Sequence, residues 1–517
     1  MRITRTLFAS LITVAALGMA ACAPAGSGAD SSSGSLSFSL NTDPATFDPS
    51  QLRGSDDFTV SRFLYDTLLH GDEDNTFAAG LASDWETIDA ANYVFTIRDG
   101  AVCGDGTPIT PTIVANSLAR FADPETASTG RSLAFGDATA TFTPDDEAGT
   151  VTVALSTGWS DFLSGMALPH AGIVCPAGLE DLDGLAAGTV EGAFSGPYTL
   201  TSSTPAVSYE LTLRDGYDTW PEYATPLTGT PATEITLRPI TDYTTIATQL
   251  IAGDLDVGVV SDENVTRFDG NDGFSVVDSV NTTTYLQFNE REGATFADQP
   301  ELRRAVAQVV DAAVFSDIST DGRGEAILSV SAPSVACVNT DASLIPAIDE
   351  AAAAELLDGV KIRIVGTTLL SAGNEYVAEV LRNAGADVTV DSLDNASWST
   401  LTSAGGTDWD INVQGDQNVL GTLTSSLLRV MGPASEDGGR NKGAAVNEEG
   451  YAALQSAMLS DNPDDVCGYM QTAQETFLER TDAVPLSTIP ASNVVRDGVQ
   501  VRVINNYLEP ATIRFSE

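Results

Sequence analysis

Basic side chains are scarce in this chain of 517 residues. It contains only two histidines, His70 and His170, and two lysines, Lys361 and Lys442, and its formal net charge is -48. Such a charge repels phosphate backbones and anionic lipid surfaces, so the composition argues against nucleic acid as a partner and offers no polybasic segment to lipid headgroups. The acidity itself is typical of a solubility device and says little about a ligand.

Catalytic motifs are also missing. Histidine is the commonest general base, and neither His70 nor His170 lies in a recognisable catalytic motif. The segment 158–162 (Gly-Trp-Ser-Asp-Phe) begins like a nucleophile elbow but lacks the closing glycine, so we interpret it as a surface turn. No glycine-rich segment joins a strand to a helix in the manner of a nucleotide site. The sequence therefore indicates a protein that is not an enzyme and needs no cofactor.

The hydrophobic run near the N terminus is too short to cross a membrane. Arg2 and Arg5 precede an apolar stretch at 7–18, and small residues lead to Cys22. A membrane-spanning helix needs roughly 20 apolar residues, so 1–21 is interpreted as a signal peptide. The junction resembles a bacterial lipobox, which implies that Cys22 is acylated and anchors the protein to the outer face of the cell membrane. The Ala-, Gly- and Ser-rich stretch 22–35 is expected to be a flexible tether.

The cysteines beyond Cys22 show no metal-binding pattern. They lie far apart and outside CxxC pairs, which argues against zinc and iron–sulfur sites. These cysteines are Cys103, Cys175, Cys337 and Cys467. An exported chain meets an oxidising compartment, so disulfides are expected, but spacing alone leaves all three possible pairings open.

The length of the chain exceeds what one hydrophobic core usually supports, so we expect at least two substructures. Residues 36–40 alternate as a strand does, and 138–142 with 151–155 predict a hairpin, which gives the first part an antiparallel character. The segment 243–251 predicts a helix that ends at Gly253.

The second part has a different pattern. Asp298-Gln299-Pro300-Glu301 has the form of a capping box and predicts a helix that continues to Val314. Farther on, 360–365, 375–383 and 388–393 predict a strand, a helix and a strand. That order implies a parallel βαβ unit, so this part is expected to be α/β.

An ordered series of short motifs connects these segments to a known family. The series resembles the family 5 extracellular solute-binding proteins, the peptide and nickel class of ABC importer receptors. The matching pieces, spread over roughly 36–490, are Asp48-Pro49, Tyr65-Asp66-Thr67-Leu68-Leu69, Gly80-Leu81-Ala82-Ser83-Asp84-Trp85-Glu86, Tyr93-Val94-Phe95-Thr96-Ile97-Arg98-Asp99-Gly100, Asp105-Gly106-Thr107-Pro108, Ser195-Gly196-Pro197-Tyr198, Ala252-Gly253-Asp254-Leu255-Asp256, Phe288-Asn289, Leu302-Arg303-Arg304-Ala305-Val306 and Val446-Asn447-Glu448-Glu449-Gly450-Tyr451.

The resemblance implies a two-lobed α/β fold of the periplasmic-binding-protein type, class II, with an extra subdomain in the first lobe and a ligand enclosed between the lobes. Lobe I is then expected over 36–281, with the subdomain at about 60–190, and lobe II over 282–485. Residues 486–517 are expected to return to lobe I. Because the lobes must hinge, a disulfide across the cleft would block their motion, and the expected pairs are Cys103 with Cys175 and Cys337 with Cys467.

The resemblance also suggests ligand contacts. In peptide-binding relatives an aspartate of lobe II meets the α-ammonium of the ligand, and Asp416 stands at the matching position, with Val413 where those relatives have an aromatic residue. Trp398 and Trp409 could form walls of the pocket, and Asn289 and Asn447 are further candidates. Each also has an ordinary structural interpretation, as a core residue or a helix cap. Nickel carriage usually involves histidine in the cleft. The chain has only two histidines, both in lobe I, so the sequence does not favour nickel as the ligand.

The sequence thus predicts a monomeric, lipid-anchored receptor that binds a small polar ligand, an oligopeptide or a dipeptide, and delivers it to the permease subunits of an ABC importer. Alternatives are a receptor of the same fold for another solute, such as an opine, an oligosaccharide or a metal chelate, a ligand sensor, and a lipid-anchored hydrolase.

Overall fold

The computed structural model describes residues 34–505 and 507–516. The predicted signal peptide, Cys22 and the tether as far as residue 33 lie outside the described residues. Within the described part, no helix combines the length and apolar character that crossing a membrane requires.

The strands form one large sheet and several small ones. In chain order they are β1 (Ser35–Leu40), β2 (Leu69–Gly71), β3 (Phe77–Ala79), β4 (Ala82–Asp89), β5 (Asn92–Ile97), β6 (Ala140–Asp145), β7 (Thr150–Leu155), β8 (Tyr198–Thr204), β9 (Ser208–Leu213), β10 (Thr230–Pro231), β11 (Glu234–Pro239), β12 (Val257–Val260), β13 (Phe274–Phe288), β14 (Lys361–Thr367), β15 (Asp387–Leu393), β16 (Ile411–Gln417), β17 (Ala483–Arg496), β18 (Val499–Gln500), β19 (Val503–Ile504), β20 (Tyr507–Leu508) and β21 (Arg514–Phe515).

In the described residues, seven α-helices precede β13 and eight follow it. In chain order they are α1 (Ser55–Leu64), α2 (Pro111–Ala122), α3 (Arg131–Phe135), α4 (Phe162–Met166), α5 (Pro176–Glu180), α6 (Leu182–Ala187), α7 (Tyr243–Ala252), α8 (Pro300–Ala307), α9 (Ala312–Thr320), α10 (Glu350–Leu357), α11 (Ser371–Asn383), α12 (Asn395–Ser403), α13 (Leu423–Met431), α14 (Glu448–Met458) and α15 (Pro463–Arg480).

The large sheet has the order β15-β14-β16-β13-β17-β12-β1-β11-β9-β8. We call the part built on β1, β8, β9, β11 and β12, with the four-stranded sheet β4-β5-β7-β6, the first lobe, and the part built on β14, β15 and β16 the second lobe. The long strands β13 and β17 pair with each other throughout, and each also pairs with one lobe, β17 with β12 and β13 with β16. Their register shifts between Ser279 and Thr282, where the ladder passes from one lobe to the other.

Separate cores stabilise the two lobes. In the second lobe, Ile364 of β14 and Val413 of β16 pack against α8, α9 and α11 on one face of the sheet. On the other face, Tyr285 of β13 packs with α13, α14 and α15. In the first lobe the four-stranded sheet packs on α2, with Phe95 among its fully buried side chains.

The predicted βαβ unit is confirmed. β14 and β15 are parallel neighbours joined by α11. The helix predicted before Gly253 is α7, and Gly253 ends it in a left-handed conformation, with φ of 80°. The predicted hairpin is the antiparallel pair β6 and β7.

The antiparallel character predicted for the first part is confirmed by the pairs β4–β5, β5–β7, β6–β7, β8–β9 and β9–β11, whereas β1 runs parallel to both β11 and β12. Two predictions about the segment around Pro300 were wrong. The predicted single helix beyond Pro300 is divided into α8 and α9, because the Asp311 side chain accepts hydrogen bonds from the backbone N–H groups of Ala313 and Val314 and starts a new helix. The expected capping box is absent, and Gln299 precedes α8 without a side-chain cap.

The disulfides are Cys103–Cys175 and Cys337–Cys467. The first lies within the first lobe and the second within the second lobe, which is the pairing expected from hinge motion. Neither one links the lobes across the cleft.

Candidate ligand-binding site

One face of β16 is polar along its whole length. Asn412, Gln414 and Asp416 alternate with Ile411 and Val413, which point into the core of the second lobe. All three polar side chains are nevertheless buried. Asn412 and Gln414 find hydrogen-bond partners within the protein, whereas both carboxylate oxygens of Asp416 lack them in the described part of the chain, so Asp416 is the candidate contact of this row.

Asp416 lies against Arg429 of α13. The carboxylate Oδ1 is 2.5 Å from the Arg429 Nε, and Asp416 is only 1% exposed. The N–H of Arg429 is not directed at the carboxylate, so neither oxygen of Asp416 accepts a well-formed hydrogen bond from the described residues. The pair is therefore an ion-pair contact that leaves hydrogen-bonding capacity unused.

Two further cations lie around this pair. Arg440 donates a hydrogen bond from Nη1 to Ser425 Oγ at 3.2 Å. The Lys442 ammonium lies 3.3 Å from the ring centroid of Trp398, a cation–π contact. Burial, and then the charge of Arg429, lowers the pKa of Arg440 to about 10 and that of Lys442 to about 7, while Asp416 partly opposes both shifts.

Trp398 belongs to the polar row, whereas Trp409 belongs to the core. The Trp398 indole N–H donates to Asn412 Oδ1 at 2.8 Å, and the Asn412 amide donates in turn to Gln414 Oε1 at 3.0 Å. Trp409 is 1% exposed and packs with Val365 and Trp398. Of the five predicted contacts, Asp416 and Trp398 thus lie along the same face of β16.

Asn289 and Asn447 bond to structural groups. The Asn289 side-chain amide donates to the backbone carbonyls of Gly406 and Trp409, each at 3.0 Å. Asn447 is the N-cap of α14, accepting from the N–H of Gly450 at 2.9 Å, and it also donates to Asp482 Oδ2 at 3.1 Å. The structure does not bring either residue next to Asp416.

Side chains of the first lobe meet the second lobe across the cleft. The Thr422 hydroxyl donates to Asp161 Oδ2 at 2.8 Å, and the Ser160 N–H donates to the Met458 carbonyl, also at 2.8 Å. Asp161 is 7% exposed, so the interpretation of 158–162 as a surface turn was wrong: the turn is covered by the second lobe. Burial raises the pKa of Asp161 to about 6, although the hydrogen bond from Thr422 lowers it in part.

Two cavities lie between the lobes. The first has a volume of about 260 Å³ and is lined by Leu133, Trp159 and Asp161 of the first lobe and by Thr424, Leu428 and Arg440 of the second. The second has a volume of about 410 Å³ and reaches the Cys337–Cys467 disulfide. Asp161 and Thr424 line both cavities, so the interlobe contact at Asp161 separates two compartments of one cleft.

Four of these residues were not among the predicted contacts: Asp161, Arg429, Arg440 and Lys442. One signal was available in the sequence, since Lys442 is one of only two lysines in the chain. The others could not be found from spacing, because Asp161 and Arg440 come together only when residues of the two lobes line one cavity.

Comparisons with known proteins fit this architecture. A substrate-binding protein from Microbacterium hydrocarbonoxydans, solved in complex with 4-hydroxybenzoate hydrazide, is 37% identical and superimposes with a TM-score of 0.78 over 93% of this chain and 100% of its own. The periplasmic murein peptide-binding protein MppA of Escherichia coli (strain K12) is 34% identical over 89 residues, which are 17% of this chain and 17% of that protein.

A longer match of lower identity is also found. The probable D,D-dipeptide-binding periplasmic protein DdpA of Escherichia coli (strain K12) is 28% identical over 283 residues, 52% of this chain and 51% of that protein. The matches to these two curated relatives thus cover only 17% and 51% of those proteins' lengths. The profile of the bacterial extracellular solute-binding proteins, family 5 Middle, matches residues 76–427, and this chain belongs to that family of solute-binding proteins, which are not enzymes.

Proposed function

We propose that this protein is the extracytoplasmic receptor of an ABC importer and encloses a small polar ligand between its two lobes. The observation that carries the proposal is the interlobe cleft, whose walls come from both lobes. A ligand that fills such a cleft contacts both lobes at once, and its binding free energy therefore favours the closed arrangement.

The hinge in this proposal is the ladder of β13 and β17. In this proposal the first lobe extends over 36–281, with the subdomain at about 60–190, and the second lobe over 282–485. The segment 486–517 returns to the first lobe. The register shift between Ser279 and Thr282 occurs where the ladder leaves one lobe and enters the other. Two strands bend more easily than a packed core, so closure needs little rearrangement within either lobe.

The ligand we favour is a short peptide. The curated relatives MppA and DdpA are named for murein peptide and D,D-dipeptide binding. Asp416 is the proposed contact for the α-ammonium, since its carboxylate oxygens have unused hydrogen-bonding capacity, and Trp398 is proposed to flank it. Trp409, Asn289 and Asn447 are proposed to support the walls rather than to contact the ligand, because their polar atoms either bond to structural groups or lie in the core.

A second ligand class is supported by one observation. The Microbacterium protein, 37% identical over most of the chain, holds 4-hydroxybenzoate hydrazide, a small aromatic acyl compound. The apolar part of the first cavity, with Leu133, Trp159 and Leu428, is suited to an aromatic ring as well as to a peptide side chain.

The cellular context is proposed on family grounds. Cys22 would carry the lipid anchor, and the permease subunits of the importer would be the protein partners of the monomeric receptor.

Native mass spectrometry of the protein purified under mild conditions tests the proposal. We expect an enclosed ligand that is released on denaturation, and its fragmentation distinguishes a peptide from an aromatic acyl compound. If no ligand co-purifies, and if neither a dipeptide library nor aromatic hydrazides raise the Tm, the receptor proposal is wrong.

A further inference from the structure

The Cys337–Cys467 disulfide borders the larger of the two interlobe cavities. Both cysteines are half-buried, and both line the cavity of about 410 Å³. The other disulfide is enclosed by the first lobe, where 1% of Cys103 and 0% of Cys175 is exposed. Cys103 also borders a pocket, but that pocket is lined by first-lobe residues alone. Of the two disulfides, the one in the second lobe therefore faces the compartment that a solute enters.

Access to the sulfur atoms controls the reactivity of a disulfide. Thiol–disulfide exchange begins when a thiolate reaches one sulfur of the bond, so its rate depends on access as well as on the thiol itself. A buried disulfide reacts only after the surrounding structure has opened. The half-buried pair on the cavity wall needs no such opening, so Cys337–Cys467 is expected to react with thiols while the protein stays folded.

The wall around this disulfide is negatively charged. Asp161 and the exposed Asp461 line the cavity, and in the part of the chain that the structure describes no lysine, arginine or histidine lines it. Asp464 and Asp465 lie in the first turn of α15, just before Cys467. Such a wall repels an anionic thiol and attracts a cationic one. The cavity thus favours small thiols that are neutral or positively charged apart from the sulfur.

The disulfide holds a loop against α15. We call residues 330–339, between α9 and α10, the rim loop. Besides the disulfide, Gln474 of α15 joins the rim loop to the helix: its side-chain amide donates to the Cys337 carbonyl at 2.9 Å and its Oε1 accepts from the Asn339 N–H at 2.8 Å. Cleavage of the disulfide leaves these hydrogen bonds in place of a covalent link, so the rim loop becomes looser without being released.

The rim loop also meets the first lobe. Asn75, between β2 and β3, donates a hydrogen bond from Nδ2 to the carbonyl of Ser334 at 3.2 Å. Val335 and Ala336, next along the rim loop, line the cavity together with Asn75. A looser rim loop therefore weakens a contact between the lobes and alters one wall of the compartment.

We infer that Cys337–Cys467 is a thiol-exchange site on the wall of the solute compartment, open to small neutral or cationic thiols, and that its cleavage loosens the rim loop. A thiolate attacks one of the two sulfurs, forms a mixed disulfide with it and displaces the other cysteine as a thiolate, which takes up a proton. A second thiolate attacks the mixed disulfide and displaces the remaining cysteine. Two thiol molecules are oxidised to one disulfide, and the two cysteines are reduced. The inference goes beyond the proposed function, because it holds whichever solute the receptor binds.

Peptide mass mapping tests the access to each disulfide. The purified full chain is incubated at about pH 8 with excess 2-mercaptoethanol, and samples taken over time are alkylated and digested. We expect Cys337–Cys467 to be lost about tenfold or more faster than Cys103–Cys175, because only the second of these needs local opening. In urea, where both are exposed, the two rates should become similar. Equal rates in the folded protein, or faster loss of Cys103–Cys175, would overturn the inference.

A matched pair of thiols tests the charge selection. Rates with cysteamine and with 3-mercaptopropionate are each divided by the rate of the same thiol with bis(2-hydroxyethyl) disulfide, which removes differences in intrinsic reactivity. We expect a preference of about threefold or more for cysteamine, which falls by about half or more in D461N. D391N removes an exposed charge on β15 and should keep the preference. A preference that is absent, or that D461N leaves unchanged, contradicts the selection.

Hydrogen exchange tests the effect on the rim loop. After selective reduction and alkylation of Cys337 and Cys467, the backbone amides of 333–339 should exchange about threefold or more faster, whereas those around Cys103 should be unchanged. A Cys337→Ser, Cys467→Ser double variant should show the same pattern; if it does not fold, the reduced and alkylated protein alone decides. Unchanged exchange in the rim loop would overturn that part of the inference. None of these outcomes bears on the receptor proposal, which co-purification of a ligand tests separately.

Discussion

Thr422 of the second lobe donates its hydroxyl hydrogen to Asp161 of the first lobe at 2.8 Å, across the cleft. This contact buries a carboxylate at the point where the two cavities meet, and burial raises the pKa of Asp161 to about 6. When the lobes separate, the carboxylate returns to water and its pKa returns toward the ordinary value of about 3.9.

The first prediction concerns pH. A group whose pKa is higher in the closed form binds its proton more tightly there, so the closed form gains stability as the pH falls from 7 to 5. We expect ligand affinity to rise over this interval and D161N to reduce that dependence. The pKa of Lys442 is lowered rather than raised, so its contribution to the pH dependence has the opposite sign and should persist in D161N. Dissociation constants measured at several pH values check the prediction, and a pH dependence unchanged in D161N would contradict it.

The second prediction concerns Lys442. Burial lowers its pKa to about 7, so the folded protein disfavours the protonated form at neutral pH. Replacing it with methionine should raise the free energy of unfolding of the ligand-free protein by about 1 kcal/mol or more, even though the cation–π contact with Trp398 is lost. The gain should shrink as the pH rises from 7 toward 10.5, where the unfolded lysine also loses its proton. Urea unfolding measures it.

Lys361→Met is the matched control for that experiment. Lys361 is exposed, so its replacement should change the free energy of unfolding by no more than about 0.5 kcal/mol. A Lys442→Met variant that loses as much stability as a core truncation, about 2 kcal/mol or more, would show that Lys442 is a packing residue.

The third prediction separates two roles of Asp416. If it binds the α-ammonium of a peptide, D416N should weaken peptides with a free N terminus about tenfold and leave N-acetylated peptides unaffected. If Asp416 only neutralises the charge of Arg429, D416N should change the affinity for both peptide types by a similar factor. In either case the loss of one partner from a buried ion pair should lower the free energy of unfolding by about 3 kcal/mol.

The fourth prediction concerns the disulfides. Each lies within one lobe, so removal of Cys103–Cys175 by a double Cys→Ala change should lower stability by about 2 to 4 kcal/mol without changing ligand affinity. Unfolding curves and calorimetry measure the two effects separately. An affinity loss of tenfold or more in a variant that remains folded would show that the disulfide positions the cleft.

The sequence predicted those parts of the fold that local patterns determine. The parallel βαβ unit of β14, α11 and β15 follows from two apolar runs around a helical one, and Gly253 ends α7 because glycine readily adopts a left-handed conformation. Asp311 shows the limit of such patterns, since the competition between one long helix and two capped ones is decided by packing as well as by spacing.

The residues of the candidate site were harder to predict from the sequence than the fold. Asp416 was predicted from its position in a motif and Trp398 from its proximity in the sequence, and both lie along the polar face of β16. Arg440 and Asp161 are 279 positions apart in the printed sequence, and they share a cavity only because the lobes meet. No periodicity along the chain encodes a contact between opposite lobes.

The central claim, that two lobes close on a ligand, is tested most directly by small-angle X-ray scattering. The radius of gyration of the purified protein is measured with its ligand bound, and again after the ligand has been removed by partial unfolding, dialysis and refolding. We predict a smaller radius with ligand bound and a return to that value when ligand is added back. An identical radius in both states, with ligand binding confirmed by calorimetry, would contradict closure.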